Sequence, residues 1–298
     1  MRIGINARHL QNSRSGIAQY LYYLLLYIRK VDKNNEYTLF LGNDRHISAD
    51  ILDFGCFYDV SRLPTTNQIL KIIWQHFYLP SRIKNLRMDV FHEPSFIAPF
   101  LKRCPTVVTV HDLAYKFIPN GFNLRNRLYL NRLIKRSLKI SDRIIAVSEH
   151  TKKDILQNYG IDERKVKVIY EGVDGSFRPI NDPQEEIKRL LKTKYGITGN
   201  FILTVSLLSP RKNLVSLIKA FSILKKKALI DHQLVIAGRR GWLFKEIFKA
   251  AADNEYHRDI VFCGFVPHED LVKFYNAADV FVYPSLYEGF GLPLLEAM

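Results

Sequence analysis

The sequence predicts an α/β protein in which two domains each contain a doubly wound parallel sheet. Short β-branched, apolar runs alternate with amphipathic segments of helical length along the whole chain, the pattern of parallel strands covered by helices on both faces. The chain has 298 residues, more than a usual single domain. A polar segment with glycine and proline, residues 171–183, separates two such halves. We therefore predict domains at residues 1–172 and 173–298.

The individual elements follow from these patterns. Strands are predicted in the first half at residues 1–7, 36–41, 89–92, 106–110, 143–147 and 165–170. Helices are predicted there at residues 17–29, 67–84 and 121–140, and another is predicted to begin after Ser148. The second half predicts strands at residues 201–205, 232–237, 260–263 and 278–284, and helices at residues 185–194, 214–226 and 269–276. A strand followed by Gly16 at a helix start is the first half of a Rossmann-type unit.

The end of the chain predicts an anion-binding turn. Residues 278–284 are β-branched, aromatic and nearly uncharged, as expected for a strand buried on both faces. Gly289 and Gly291 follow and permit backbone conformations that disfavour residues with a Cβ. Pro293 suits a first helical turn because its missing N–H costs nothing there. Free amide groups and the positive end of the helix dipole would face a phosphate in such a turn.

Two carboxylates flank this turn, Glu288 and Glu296, with seven residues between them. A carboxylate only accepts hydrogen bonds, and it therefore suits a sugar diol, which can donate two. The pair predicts a nucleotide-sugar site. The structural alternative is a glycine turn followed by a helix with an acidic first turn.

A basic pair, Arg211 and Lys212, lies between the predicted strand 201–205 and the predicted helix 214–226. Arginine can donate two hydrogen bonds to phosphate oxygens at once, and lysine supplies a point charge. Both therefore compensate the negative charge of a diphosphate. Two cations at a helix start interact unfavourably with the helix dipole. That local cost indicates an anion nearby.

Composition points to an acidic partner in a reducing compartment. The formal net charge is +15, which favours anionic lipid, nucleic acid or a phosphorylated substrate. Three cysteines occur without metal-ligand spacing, which fits a cytoplasmic protein without a disulfide framework. Basic residues alternate with leucines in the predicted helix 121–140. This segment is either a packed helix with a solvated face or a surface helix that rests on anionic lipid.

Residues 287–298, Tyr-Glu-Gly-Phe-Gly-Leu-Pro-Leu-Leu-Glu-Ala-Met, resemble the signature of the retaining glycosyltransferases of family 4, which have the GT-B fold. The branch that they resemble most contains bacterial mannosyltransferases of O-antigen and exopolysaccharide assembly. Val-Thr-Val-His-Asp-Leu around His111 and Pro-Arg-Lys-Asn around Arg211 resemble further family segments. The resemblance extends over nearly the whole chain.

The resemblance implies roles for individual residues. Glu288 and His111 would hold the transferred sugar, Glu296 the ribose, and Arg211 with Lys212 the diphosphate. The expected catalytic residues are His111, Arg211, Lys212 and Glu288. The expected donor-binding residues are Gly16, Ser206, Val266, Phe290, Gly291, Leu292 and Glu296. From the sequence alone, Gly16 can equally be a glycine that only permits a turn. Many family members have an arginine in place of Ser206, so that Arg211 would supply the guanidinium here.

The implied activity is retaining transfer of a hexose, expected to be mannose, from GDP-mannose or a UDP-sugar. The acceptor would be a saccharide or a polyprenyl-diphosphate-linked saccharide. The sequence has no suitably placed Asp-x-Asp metal motif, so we expect fixed positive groups in place of a metal ion and no cofactor. It has no recognisable nucleic-acid-binding motif, so we expect no nucleic-acid partner. The family often takes lipid-linked acceptors, which favours a peripheral position on the anionic inner face of the cytoplasmic membrane. Family members continue beyond the position of Met298. We therefore expect an incomplete second domain and lower stability than a complete relative. The alternatives are an inactive scaffold, a UDP-sugar epimerase of GT-B fold and a nucleic-acid-binding protein.

Overall fold

The computed structural model describes residues 1–11, 16–42, 56–61, 67–118, 124–181 and 184–298. These residues form two compact units, each with its own sheet. The first unit comprises the described residues of Met1–Leu113 and Leu124–Glu171. The second unit begins at Gly172, and the short helix Ala114–Phe117 also belongs to it.

The first unit contains a seven-stranded parallel sheet. Its strands are β1 Arg2–Asn6, β2 Glu36–Leu41, β3 Phe57–Val60, β4 Val90–Glu93, β5 Thr106–Val110, β6 Arg143–Ala146 and β7 Val166–Val168. They lie in the order β3-β2-β1-β4-β5-β6-β7. The order reverses where β1 pairs with β4. In open α/β sheets, ligands bind beyond the carboxyl ends of the strands at such a reversal.

Helices pack on this sheet through buried apolar side chains. Their bounds are Gly16–Val31, Gln68–Ile73, Leu79–Asn85, Leu124–Ile140 and Glu149–Tyr159. Leu21 and Leu25 of the first helix are buried against Ile5 and Leu39 of the sheet. Ser148 caps the helix Glu149–Tyr159, as predicted, because its side chain accepts a hydrogen bond from the Thr151 amide at 3.0 Å. Residues 121–123 of the predicted helix 121–140 lie outside the described residues.

The second unit contains a four-stranded parallel sheet in the order β10-β9-β8-β11. Its strands are β8 Phe201–Val205, β9 Gln233–Ala237, β10 Ile260–Gly264 and β11 Val280–Phe281. The helices are Gln184–Tyr195, Leu214–Lys226, Lys245–Ala252, His268–Ala277 and Leu292–Ala297. Phe201, Leu203 and Phe274 are fully or almost fully buried in its core. Among the described helices, none combines the length and the apolar character that a membrane crossing requires.

One strand prediction needs correction. Residues 278–284 were expected to form a strand buried on both faces, but the strand is limited to Val280–Phe281 and Val280 is half exposed. The reason is its place in the sheet: β11 pairs with β8 on one side and is the edge strand of the described residues. The apolar composition of the run predicts burial, but half of the Val280 side chain is exposed at the edge of the sheet. The structure also adds elements that the sequence patterns did not predict, among them β3 and the helices Ala114–Phe117 and Lys245–Ala252.

A buried carboxyl group lies at the end of β4. Glu93 is fully buried, and its oxygens accept hydrogen bonds from Asn6 Nδ2 at 2.8 Å and from Ser95 Oγ at 2.6 Å. Burial raises the pKa of Glu93 to about 7, although these hydrogen bonds and the charge of Arg8 act in the opposite direction. The folded protein therefore keeps this group protonated at mildly acidic pH, where the unfolded chain releases the proton.

The contribution of Glu93 to stability is expected to decline as pH rises from about 4.5 to about 7. Within that window the folded state binds more protons at this group than the unfolded state, so the free energy of unfolding falls by up to about 1.4 kcal/mol per pH unit. Glu93→Gln removes this dependence. Urea unfolding measures the free energy of unfolding of both proteins at pH 5 and at pH 7. We expect the free energy of wild type minus that of the variant to be smaller at pH 7 than at pH 5. Buried histidines affect both proteins alike and cancel, and a pH-independent difference would contradict the prediction.

Candidate active site

The candidate site of the second unit lies beyond the carboxyl ends of β8 and β11. The strand order of this sheet reverses at β8, because β9 lies on one side of it and β11 on the other. After β8 the chain forms the short 3-10 helix Pro210–Lys212. Asn213 then adopts a left-handed backbone, with a φ of 55°, before the helix Leu214–Lys226 begins. Asparagine tolerates this conformation better than most residues. The sharp turn places Arg211 and Lys212 against the segment that follows β11.

Arg211, Lys212 and Glu288 form one hydrogen-bonded cluster. Nη1 of Arg211 donates to Oε2 of Glu288 at 2.6 Å, and Nζ of Lys212 donates to Oε1 at 2.5 Å. Arg211 also donates to the carbonyl oxygen of Tyr287 at 2.9 Å. The Leu286 amide donates back to the carbonyl oxygen of Arg211 at 2.9 Å. These bonds fix two distant parts of the sequence to each other and orient both cations.

The cluster holds two cations against one carboxylate. Lys212 is only 7% exposed, and its Nζ also donates to the hydroxyl of Tyr283 at 2.8 Å. Burial by itself would raise the pKa of Glu288, but Lys212 and Arg211 together lower it below its usual range. Glu288 is therefore ionised. A guanidinium and an ammonium group that are held together in a partly desolvated position are suited to an anion such as a diphosphate.

The predicted glycine turn follows Glu288, and one of its two glycines needs a special backbone. Gly291 has a φ of 104°, in the left-handed region, and precedes the helix Leu292–Ala297. Gly289 does not adopt a positive φ, so the expectation for this residue was wrong; it is buried, where a larger side chain would need space. Phe290 and Leu292 on either side of Gly291 are half-buried. Because the helix has only six residues, its dipole adds little to the charge of Arg211 and Lys212.

Glu296 lies in this helix and is held by a tyrosine. The hydroxyl of Tyr275 donates to Oε2 of Glu296 at 2.7 Å. Burial raises the pKa of Glu296, while the bond from Tyr275 acts in the opposite direction. Tyr275 donates to Oε2 of Glu296 and not to Oε1. A carboxylate oriented in this way can accept hydrogen bonds from a pair of hydroxyl groups.

Ser206 and Val266 lie on two neighbouring loops at the same edge of the sheet. The Ser206 amide donates to the carbonyl oxygen of Ala237 at 2.9 Å, and the Ser206 hydroxyl is buried without a hydrogen-bond partner among the described residues. Val266 is buried in the core, so it can offer a ligand only its backbone. Gly238 lies between these loops with a φ of 146°, and a Cβ there would be 1.7 Å from the Ser206 carbonyl oxygen. The loops after β8 and β9 therefore approach each other as closely as glycine permits.

Two predicted residues, His111 and Gly16, lie in the first unit. His111 follows β5, and both of its ring nitrogens have partners: Nδ1 lies 2.8 Å from Oε1 of Glu171, and Nε2 lies 2.9 Å from the carbonyl oxygen of Pro94. Gly16 is the exposed first residue of the helix Gly16–Val31. A Cβ at Gly16 would meet no atom of the described residues within 4 Å, and the φ of Gly16 is not positive. Packing against the described residues therefore does not require a glycine at this position.

Three residues that hold predicted site residues have no sequence motif of their own. In the second unit Tyr283 binds Lys212 and Tyr275 binds Glu296, and in the first unit Glu171 binds His111. Each pair is separated by between 21 and 71 residues and meets only in the folded structure. The one available signal was the position of Tyr283 shortly before the terminal signature.

Two protein-family models match the chain. The model of Glycosyltransferase Family 4 matches residues 14–177, which is more than half of the chain. The model of Glycosyl transferases group 1 matches residues 187–298, which include Arg211, Lys212, Glu288 and Glu296. The two matches follow one another along the chain without overlap.

Curated relatives include enzymes of O-antigen assembly. O-antigen chain mannosyltransferase B of Escherichia coli is 30% identical over 218 residues, which are 72% of this chain and 56% of that protein. O-antigen chain mannosyltransferase RfbU of Salmonella typhimurium is 28% identical over 249 residues, 80% of this chain and 63% of that protein. The chain therefore spans less than two thirds of the length of either relative.

Solved structures share the fold. The structure of Anabaena HepE in complex with UDP and glucose superposes with a TM-score of 0.72 at 19% identity, over 100% of this chain and 78% of that one. This likeness confirms the predicted α/β fold of the GT-B type. With the match over residues 14–177 and the two parallel sheets, it leads to one conclusion. The chain belongs to glycosyltransferase family 4.

Proposed function

We propose that the chain transfers a hexose from a nucleotide-diphosphate sugar to a saccharide or lipid-linked saccharide during cell-surface polysaccharide synthesis. One observation carries the proposal: two cations, Arg211 and Lys212, are fixed by hydrogen bonds beside Glu288 at the carboxyl ends of β8 and β11. Mannose is the preferred sugar because the curated relatives are named as O-antigen mannosyltransferases. GDP-mannose is accordingly the first candidate donor and a UDP-sugar is the second.

The proposed chemistry breaks the bond between the anomeric carbon and the diphosphate oxygen, through an oxocarbenium-like state. Arg211 and Lys212 stabilise the negative charge that grows on the departing diphosphate. Glu288 accepts hydrogen bonds from hydroxyls of the transferred sugar, and Glu296 accepts them from the ribose. The acceptor hydroxyl approaches from the side of the leaving group, forms the new bond with retained configuration and gives its proton to the diphosphate. Fixed cations perform the task of a metal ion, so the proposed activity persists in EDTA.

The experiment offers the full chain GDP-mannose or UDP-glucose together with a polyprenyl-diphosphate-linked saccharide, with EDTA present, and follows the lengthened product by mass spectrometry. Transfer with retained configuration supports the proposal. Conversion of the free nucleotide sugar without an acceptor indicates an epimerase instead. If both donors bind but neither sugar is transferred, the chain is an inactive scaffold. If neither donor binds, the proposed site is wrong.

Gly16→Ala separates a ligand-binding glycine from a turn glycine. We expect the variant to be as stable as wild type, or more stable by up to about 1 kcal/mol, because a methyl group would meet no atom of the described part of the chain. If the Gly16 amide approaches the donor diphosphate, affinity for the donor falls by about tenfold or more, equal to 1.4 kcal/mol. Gly199→Ala is the matched control, since a Cβ there also has open space. Isothermal titration with the donor measures the affinity of both variants. If Gly16→Ala bound the donor as tightly as Gly199→Ala, the role of Gly16 in donor binding would be contradicted.

The helix Leu124–Ile140 supports a further part of the proposal, binding to an anionic membrane surface. One side of the helix is buried through Ile134 and Leu138. Among the residues of this helix whose burial is described, 127–140, the exposed ones combine two apolar with three basic side chains, namely Leu128, Tyr129, Arg132, Lys135 and Lys139. Apolar and basic groups that share an exposed helix face are typical of helices that lie at a lipid interface.

Lys135→Glu combined with Lys139→Glu is expected to weaken binding to vesicles that contain anionic lipid by about 30-fold or more. The figure follows from about 1 kcal/mol for each lysine near an anionic surface. Lys226→Glu combined with Lys227→Glu, two exposed lysines of the second unit, changes net charge equally and should have a smaller effect. Vesicle sedimentation measures binding. An equal loss in both double variants would show a non-specific charge effect and overturn this part of the proposal.

A further inference from the structure

Three large apolar side chains form an exposed stripe on one helical segment of the first unit. The segment comprises residues 68–85, where two α-helices are joined by one π-helical turn. Ile69, Ile73 and Phe77 recur every four residues along it and are 70%, 40% and 62% exposed. Side chains at this spacing share one side of a helix. Single exposed apolar residues are ordinary on a protein surface, but a contiguous stripe indicates a binding surface.

The opposite side of the segment is fixed in the core of the first unit. Trp74, Leu79 and Ile83 are buried in one cluster with Phe40 of β2 and Phe91 of β4. Rotation of the segment to bury the exposed stripe would therefore bring the fully buried ring of Trp74 into water. That exchange would cost more apolar burial than it gains. The exposed stripe thus faces away from the sheet in the folded unit.

The segment and the helix Leu124–Ile140 cover the same face of the sheet. The connections from β3 to β4 and from β5 to β6 run in the same direction along the strand order, and right-handed crossovers place both on one face. Phe100 contacts both elements. Its ring stacks on His76 with 3.7 Å between the ring centres, and its carbonyl oxygen accepts a hydrogen bond from Arg136. The exposed sides of both elements therefore point away from the same face.

The charges on this face have one sign over long stretches of sequence. The chain has 29 acidic residues among 298, yet none lies in residues 67–88, 94–111 or 113–141. These stretches include the segment, Phe100 and the helix Leu124–Ile140. Lys102 is paired with Asp142, which follows the last stretch, at 2.7 Å. The exposed basic side chains outside the helix Leu124–Ile140 include Lys84, Arg87, Lys102 and Arg103.

We infer that the exposed stripe enters the acyl boundary of an anionic membrane, so that residues 68–85 and the helix Leu124–Ile140 form one lipid-binding surface. The inference deepens the membrane part of the proposed function, which names the helix Leu124–Ile140 alone. Basic groups attract the surface to anionic headgroups, and the exposed stripe adds apolar burial that salt does not screen. A second copy of the chain is a poorer occupant, because a two-fold contact would bring two basic surfaces together.

The first test compares vesicle binding of the full chain at low and at high salt. Ile69→Ser combined with Phe77→Ser should weaken binding to vesicles that contain anionic lipid by about 30-fold, which corresponds to about 2 kcal/mol of apolar burial. The loss should be similar at both salt concentrations, since it does not depend on charge. Thermal unfolding verifies that the variant is folded.

The matched control is Ile223→Ser combined with Leu229→Ser, because these side chains of the second unit are 55% and 64% exposed. The control should bind vesicles as tightly as wild type. Equal losses in both double variants, unchanged binding of the variant in the exposed stripe, or no vesicle binding by wild type would each overturn the inference.

The second test reports insertion directly. Phe77→Trp places an indole in the exposed stripe, and bromine atoms on the lipid acyl chains should quench its added fluorescence when the protein is bound to vesicles. Ile223→Trp, in the second unit, should not be quenched. Bound Phe77→Trp without quenching would show that the stripe stays outside the acyl region and would refute insertion.

Two further measurements separate this inference from its alternatives. Sedimentation velocity without lipid detects self-association: a dimer that Ile69→Ser with Phe77→Ser dissociates, with vesicle binding unchanged, would assign the stripe to a second copy instead. In transfer assays, the same variant should retain the wild-type rate on a soluble short-chain acceptor and lose rate on an acceptor embedded in vesicles. Absence of transfer in wild type would refute the proposed function, while vesicle binding would still decide the role of the stripe.

Discussion

Lys212→Met is expected to lower the rate of sugar transfer by about 10²- to 10³-fold, the usual cost of losing one preorganised donor to a developing negative charge. Lys212 is buried, hydrogen-bonded to Glu288 and Tyr283, and 4.8 Å from the centre of the Tyr283 ring. Methionine is unbranched and of similar length, so it fills most of the same space. Glu288 keeps its bond to Arg211 at 2.6 Å. The variant therefore removes a charge without leaving the carboxylate unpaired.

Steady-state kinetics at saturating donor measure this effect, at a temperature where thermal unfolding shows both proteins to be folded. Lys188→Met is the matched control, because Lys188 is an exposed lysine of the same unit with a long ion pair of 3.6 Å to Glu185. We expect the control to transfer at the wild-type rate. If Lys212→Met also retained that rate, charge on this side chain would not contribute to the departure of the diphosphate.

Glu288→Gln is expected to change nucleotide binding and sugar transfer in opposite directions. In the structure, Glu288 occupies Arg211 and Lys212 with one carboxylate. Neutralising it removes the negative charge that competes with a ligand for both cations, so a nucleoside diphosphate without a sugar should bind about tenfold more tightly. Transfer should nevertheless fall by about 10²-fold or more, because the hydroxyls of the sugar lose the acceptor that orients them.

Calorimetry with GDP and with UDP tests the first effect, and product analysis tests the second. Glu269→Gln, on the neighbouring helix His268–Ala277, is a control for the loss of one negative charge. Parallel losses of nucleotide affinity and transfer would show that Glu288 maintains the shape of the site and does not compete with the diphosphate. Because Arg211 and Lys212 lower the pKa of Glu288, its pairing stabilises the wild type at neutral pH. That contribution is lost as pH falls through the lowered pKa.

Several elements could be predicted from sequence with the bounds that the structure has. The strands β2, β5 and β8 and the helix Leu214–Lys226 match their predictions residue for residue. Each has a strong hydrophobic periodicity or a β-branched run with a clear boundary. Local patterns of this kind predict the secondary structure that the folded chain adopts. The strand predicted at residues 278–284 is only two residues long in the structure. The prediction was too long because composition does not reveal whether a strand has a neighbour on both sides.

Part of the candidate site could likewise be predicted from the sequence, and part could not. The terminal signature, the basic pair and the histidine after β5 were visible as local segments, since each combines a strand end with chemically distinctive residues. Their partners were not visible. Glu288 meets Arg211 and Lys212 across 77 and 76 residues, and His111 meets Glu171 across 60.

The sequence by itself determined the fold class and the family, and it predicted candidate residues for a nucleotide-sugar site, because these depend on local periodicity and on residue type. Only the tertiary structure decided which charged side chains pair with one another. The physical reason is that hydrogen bonds act over about 3 Å. Such short contacts between distant residues depend on the order and register of the strands, which no local pattern specifies.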